Sequence, residues 1–371
     1  MPEIDGLRFI AIFLIVWVFH LSGQFFPDII GNKLSANVYV REILMESSYG
    51  VPLFFIISGF IVSMPFAKQK LCNGNAVDLK AYFIRRITRI EPLYIITLIL
   101  YFIVRVWILK YQSFSEVFPH FIASLFYVHT FIYDKLSIVN GVTWSLEIEI
   151  QFYILAPLLT SIFLVRKKNI RWLIFGICIA GGSLFSSLTH ASDLYFTTQI
   201  CYFFSGMFLA ELYVTVTKKR DHPIYLFAAI ISLLVLLFMP TFHNDYFRPI
   251  LLLIKLLATC IFIFLAFNND KLKRFLGKSV FSIPGGMCYS IYLLHQGVYG
   301  LMRHRISEMQ FFKYAWLNAL IAYGTVLAAI FIVSAFFFIL IEKPTMKKNW
   351  WRRKKKAGDS LPESVTYNPQ S

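Results

Sequence analysis

The first apolar run of the chain, Leu7-Arg8-Phe9-Ile10-Ala11-Ile12-Phe13-Leu14-Ile15-Val16-Trp17-Val18-Phe19-His20, ends on a histidine. A charged side chain at the centre of a membrane helix costs roughly 2.5–3.5 kcal/mol, so an ionisable residue there faces a cavity or does chemistry. An imidazole can take a proton from a hydroxyl nucleophile, and a carboxylate bonded to one ring nitrogen fixes the tautomer and strengthens the other nitrogen as a base. Glu149 is the carboxylate at matching depth, so a His20–Glu149 pair is expected. Without such a partner a buried histidine is more often structural than catalytic.

Arg85, Arg86 and Arg89 stand one helical turn apart ahead of Pro92. They can clamp phosphates bidentately or serve as a cytoplasmic topology anchor. His295 lies inside a later apolar run, where Tyr289, Ser290 and Tyr292 could satisfy it or work with it. Ser58-Gly59 suits close helix packing more than chemistry. Glu147, just after Trp144-Ser145, suits a helix start, whereas Glu149 lies about 200° round the same helix and needs another explanation. Glu342-Lys343-Pro344 closes the last apolar run, where Glu342 is expected to pair with a cytoplasmic-side arginine such as Arg8.

These residues need a membrane bundle to position them. Of 371 residues 58% are hydrophobic, 18% aromatic and 15% charged, and the mean hydropathy is +0.64, which is far from a soluble domain. Since about 20 apolar residues span a bilayer as a helix, candidate runs fall near 7–27, 49–67, 92–110, 117–133, 144–165, 172–190, 196–216, 224–240, 249–267, 285–303 and 315–341. Lys68, Lys70, Lys80, Arg85, Arg86 and Arg89 place the second connection inside, because short cytoplasmic loops collect Lys and Arg. A crossing run at 117–133, which carries Pro119, His120 and His129, would put the basic groups at 166–168, 218–220, 271–274 and 347–356 outside. The expected fold is therefore all-α: a polytopic membrane helical bundle of about ten spans, with 117–133 re-entrant or interfacial and both termini cytoplasmic. Arg8 then lies at the inner face and His20 and Glu149 in the outer half.

The formal charge of +16 follows from this topology and from contact with anionic membrane lipid, so no nucleic-acid partner is expected. Cys72, Cys178, Cys201, Cys260 and Cys288 show no metal-ligand spacing, and neither a disulfide framework nor a metal site is expected. The first run follows Glu3 and Asp5 and lacks a small-residue cleavage pattern, so it reads as a retained anchor. Nucleotide-binding glycine loops and zinc-protease motifs are missing. Residues 1–345 read as one membrane-embedded domain and 346–371 as a basic, then disordered cytoplasmic tail. The sequence carries no signal for oligomeric state.

Taken together these residues resemble the acyltransferase-3 family of integral membrane acyltransferases over about 4–345. Ile4-Asp5-Gly6-Leu7-Arg8 leading to His20 is similar to its opening motif, and Gly50-Val51-Pro52-Leu53-Phe54-Phe55-Ile56-Ile57-Ser58-Gly59-Phe60 to its second-span signature. Arg85 to Tyr94, Trp144-Ser145-Leu146-Glu147-Ile148-Glu149-Ile150-Gln151-Phe152-Tyr153, Tyr202 to Met207, Tyr289 to His295 and Glu342-Lys343-Pro344 follow in the family's order. The resemblance implies transfer of an acyl group, in the first instance acetyl, from cytoplasmic acyl-CoA to a hydroxyl of an extracytoplasmic glycan, in a bacterial inner membrane. It implies His20 as base, Glu149 as its partner or a pocket acid, and Arg85, Arg86 and Arg89 as the group that holds coenzyme A phosphates. Ser58, Trp144, Ser145, Tyr153, Tyr292 and His295 would line or support the pocket, with Arg8 and Glu342 as structural polar residues.

Two departures from the family pattern set expectations for the structure. Eleven residues separate Arg8 from His20 where the family has about ten, which turns His20 about 120° from Arg8 unless a π-bulge absorbs the extra residue. Pro52 replaces the usual acid of the second-span signature. A pantetheine arm reaching His20 from the arginines requires a buried polar slot between the first spans, and His20 facing lipid would contradict the scheme. Two other readings use the same residues: a transporter or flippase for a lipid-linked glycan, and a transmembrane N-acetyltransferase.

Overall fold

The computed structural model describes residues 1–25, 44–188, 192–216, 221–239, 247–307 and 312–346, and every regular element among them is helical. The expected tail from 347 onward, the basic group 218–220 and most of the 28–48 connection lie outside the described residues. In chain order the helices are α1 (Pro2–Ile12), running on into a π-helical stretch (Phe13–Phe25), α2 (Gly50–Leu71), α3 (Leu79–Ile103), α4 (Phe114–Leu125), α5 (His129–Tyr133), α6 (Trp144–Leu159) and α7 (Lys168–Leu188). There follow α8 (Phe196–Thr215), α9 (Pro223–Phe238), α10 (Arg248–Asn268), α11 (Asp270–Leu276), α12 (Ser279–Gly286), α13 (Cys288–Ser307) and α14 (Ala315–Phe337).

Seven helices among the described residues are long and apolar enough to cross a membrane: Pro2–Gly23, Leu44–Leu71, Leu79–Ile108, Gly141–Leu164, Lys168–Leu188, Arg248–Asn268 and Leu317–Thr345. The fold is thus the expected polytopic helical bundle, but with fewer lipid-like spans than ten. The other three expected spans form helices that differ for visible reasons. α9 has 16 residues. α8 carries Gln199 and Glu211, both buried, and α13 carries His295, Gln296, Arg303 and Arg305; a helix flanked by other helices need not be apolar all round. The 117–133 segment folds as α4 and α5, of 12 and 5 residues, each too short to span.

Small residues let the central helices meet. A Cβ on Gly206 of α8 would lie 2.1 Å from the Ile56 carbonyl oxygen of α2, and one on Gly59 would lie 2.5 Å from that of Phe203. Backbones that approach this closely gain the dispersion contacts that drive helix association where lipid removes the hydrophobic drive. Buried ion pairs tie the periphery, with Arg171 on Glu211 and Lys255 on Glu46, both at 2.6 Å.

Candidate active site

Past Ile12 the first helix widens into a π-helix from Phe13 to Phe25. An i→i+5 turn advances roughly 83° per residue in place of about 100°, so the eight steps from Ile12 to His20 return His20 to within about 30° of Arg8's face. The extra residue between them is thereby absorbed. The loosened turn leaves the Trp17 carbonyl to accept from the Ser22 hydroxyl at 2.8 Å and from the Tyr323 hydroxyl of α14 at 3.2 Å.

His20 is buried, with 8% of its surface exposed, and faces the bundle instead of lipid. Its Nδ1 lies 3.0 Å from Nε2 of His295 on α13. Nδ1 of His295 lies 2.7 Å from the Tyr292 carbonyl oxygen and 3.2 Å from that of Ile291. Carbonyls only accept, so Nδ1 of His295 donates. With both rings neutral, Nε2 of His295 then accepts and Nδ1 of His20 donates to it. Nε2 of His20 keeps its lone pair, with the Gln296 amide nitrogen 3.3 Å away as donor. A base with a fixed tautomer results, held by a histidine and not by a carboxylate.

The expected His20–Glu149 pair does not form. Glu149 accepts from the Ser58 hydroxyl at 2.7 Å and from the Tyr153 hydroxyl, and lines a different cavity. That cavity is a narrow slot of about 90 Å³ between α1, α2, α3, α6 and α13, bordered by Arg8, Arg86, Arg89, Ser58, Glu149 and Tyr153. Arg86 lies over the Tyr153 ring, 5.3 Å from its centroid. Arg85 is exposed and takes no part in the lining. Arg8 pairs with Asp5 at 2.8 Å and not with Glu342, which accepts from the backbone N–H and hydroxyl of Ser290. Glu147 is more than a helix start: fully buried, it accepts from the Thr130 N–H at 3.0 Å and hydroxyl at 2.7 Å, which clamps α5 against α6.

A second cavity, of about 510 Å³, contains His20 together with Glu46, Trp144, Asp193, Gln199 and Gln296. Val51 and Tyr292 border both cavities, and the Tyr292 hydroxyl lies 2.8 Å from that of Ser145. Slot and chamber are therefore neighbours across two side chains. Gln296, Asp193 and Glu46 were not singled out from sequence. Gln296 carried a usable signal as a polar neighbour of His295 in an apolar run, whereas Asp193 and Glu46 lie at helix ends where polar residues are ordinary. Among the described residues no group of three or more His, Cys, Asp or Glu is placed to hold a metal ion.

The model of an acyltransferase domain, that of acyltransferase family 3, matches residues 1–353. A Staphylococcus aureus (strain MSSA476) protein named as an O-acetyltransferase is 28% identical over 325 residues, 80% of this chain and 50% of the relative. The peptidoglycan O-acetyltransferase OatA of Listeria monocytogenes is 25% identical over 323 residues, 80% of this chain and 49% of the relative. The chain spans about half the length of these relatives. No solved structure matches.

Proposed function

The chain belongs to the acyltransferase-3 family, and on that premise we propose that it is a membrane O-acetyltransferase that takes its acyl group from cytoplasmic acetyl-CoA and gives it to a hydroxyl of an extracytoplasmic glycan. One observation carries the reading: a slot lined by three arginines adjoins a polar chamber holding a tautomer-fixed histidine, and Val51 and Tyr292 border both.

In this reading Arg86 and Arg89 hold coenzyme A phosphates, for which guanidinium forks are suited, and the slot, about 90 Å³, widens to take the extended pantetheine arm. Glu149, Ser58 and Tyr153 offer it polar partners. The thioester reaches the Val51–Tyr292 boundary. His20 Nε2 takes the proton of the acceptor hydroxyl as its oxygen attacks the thioester carbonyl, and the departing thiolate of coenzyme A receives that proton from the imidazolium. His295 does not touch the reacting atoms; it positions His20 and spreads the transient charge. The basic loops support a cytoplasmic-side slot, which in this reading belongs to a bacterial inner membrane. The acceptor in the name of the L. monocytogenes relative, peptidoglycan, makes a cell-wall glycan the first candidate.

The test is thiol release. Purified protein given acetyl-CoA and glycan fragments is expected to liberate free coenzyme A and acetylate the glycan, and His20→Ala protein of unchanged helicity to do neither. Turnover undiminished in His20→Ala would end the assignment of the base, and no thioester consumption with any acceptor would favour a transport role.

A further inference from the structure

A third cavity, of about 750 Å³, opens between α3, α13 and α14. Leu100, Val104, Leu294, Val298, Ala329 and Val333 give it apolar walls, and exposed Leu301 (54%) also lines it. Trp107 and Ile108, on the same end of the third span, are 54% and 63% exposed, as lipid-facing residues of a membrane helix are. The cavity differs from an ordinary lipid-facing groove in two ways. It shares Gly141 and Gln296 with the His20 chamber, and Gln296 touches His20. It also carries two cations, Arg105 and Arg303. Arg105 lies in a π-helical stretch (Val104–Ile108), where its guanidinium donates to the Gln112 side chain at 3.1 Å. Arg303 is exposed and stands eight residues past His295, about 12 Å further along α13.

The Tyr101 hydroxyl registers the two helices. It donates to the Leu293 carbonyl at 3.0 Å and accepts from the Gly297 N–H at 2.7 Å, so Arg105, one turn beyond Tyr101, and Arg303 approach the same end of the bundle. An apolar cleft, two cations toward its end and a border shared with the His20 chamber at Gly141 and Gln296 match an amphiphile with a tail, a phosphate and a hydroxyl-bearing head. The adjoining polar chamber, about 510 Å³, is in the range of whole ligand pockets and suits a saccharide head.

We propose that this cleft docks a lipid-anchored glycan acceptor from the membrane: its apolar chain lies between α3, α13 and α14, its phosphate meets Arg105 and Arg303, and its sugar reaches His20 past Gly141 and Gln296. The proposal rests on the acyl-transfer reading for what happens to the sugar, but not for binding.

Binding is measured by native mass spectrometry on purified full-length protein in detergent, with farnesyl phosphate, farnesol and phosphatidylglycerol as probes. Farnesyl phosphate is expected to be held at least tenfold more tightly than farnesol. Combining Arg105→Gln with Arg303→Gln should erase that difference while leaving farnesol retention in place, and Ala329→Trp or, independently, Val333→Trp should displace both. Equal retention of phosphate and alcohol by the wild type, retention unchanged in both tryptophan variants, or competition by phosphatidylglycerol as strong as that by farnesyl phosphate would overturn the proposal, the last making the cleft a general lipid site. Because the readout is binding, failure of thioester turnover would overturn the acyl-transfer reading alone, and failure here the docking site alone.

Discussion

His20 is oriented as a candidate base by hydrogen bonds that run from the Tyr292 carbonyl through both nitrogens of His295 to Nδ1 of His20. Replacing His295 by Ala frees the His20 tautomer and orientation without removing the base. The account predicts a kcat lower by about 10- to 100-fold, the usual cost of losing an orienting partner, with KM for acetyl-CoA unchanged; equal losses in KM would point to a merely structural role. Arg89→Ala should do the reverse, raising KM for acetyl-CoA at least tenfold with kcat little affected in steady-state kinetics. That His20 faces the bundle was legible from sequence because intramembrane polarity is costly, whereas Ser58 and Tyr153 came forward only through the family resemblance, and the structure sets both on the slot with Arg86 and Arg89. The partner of His20 was not legible: span position gives depth, and the azimuth that separates Glu149 from His295 depends on how helices rotate against one another. Arg8 and Glu342 were mispaired for the same reason, since shared depth does not make contact.

At the level of elements, three π-helical stretches each carry one ionisable residue of interest: His20 in Phe13–Phe25, Arg105 in Val104–Ile108 and Glu342 in Phe338–Glu342. Such stretches re-aim side chains at functional sites at the expense of regular hydrogen bonding. The eleven-residue gap between Arg8 and His20 announced the first of them, because regular α-geometry would have separated the two faces. Deleting Val18 leaves ten residues between Arg8 and His20, so the stretch should return to regular α-geometry with His20 still within about 20° of Arg8's face and thioester turnover retained; abolished turnover in a protein that still reaches the membrane would show that the π-turn itself is required. The α2–α8 crossing is as constrained. Gly206→Ala would place its Cβ against the Ile56 carbonyl, with an expected loss of roughly 1–3 kcal/mol, read as a lower midpoint of thermal unfolding in detergent.

Over the whole molecule, the proposed function lies in the meeting of two cavities. Sequence patterning revealed the bundle and the short α4–α5 segment, because hydrophobic length and basic loops are one-dimensional signals. It overstated the number of lipid-like spans, since α8 and α13 use polar residues such as Gln199 and His295 against other helices. The cavities could not be read from sequence at all, because they are the spaces left after packing. Filling their boundary with Val51→Trp should preserve acetyl-CoA binding, measured by calorimetry, and stop acyl transfer. The most direct test of the account uses vesicles with uniformly oriented protein, labelled acetyl-CoA on the face bearing the arginine slot and glycan acceptor on the opposite face. The account predicts labelled acceptor across the membrane with wild-type protein and none with His20→Ala. Acceptor labelled only when it shares a compartment with acetyl-CoA would contradict it.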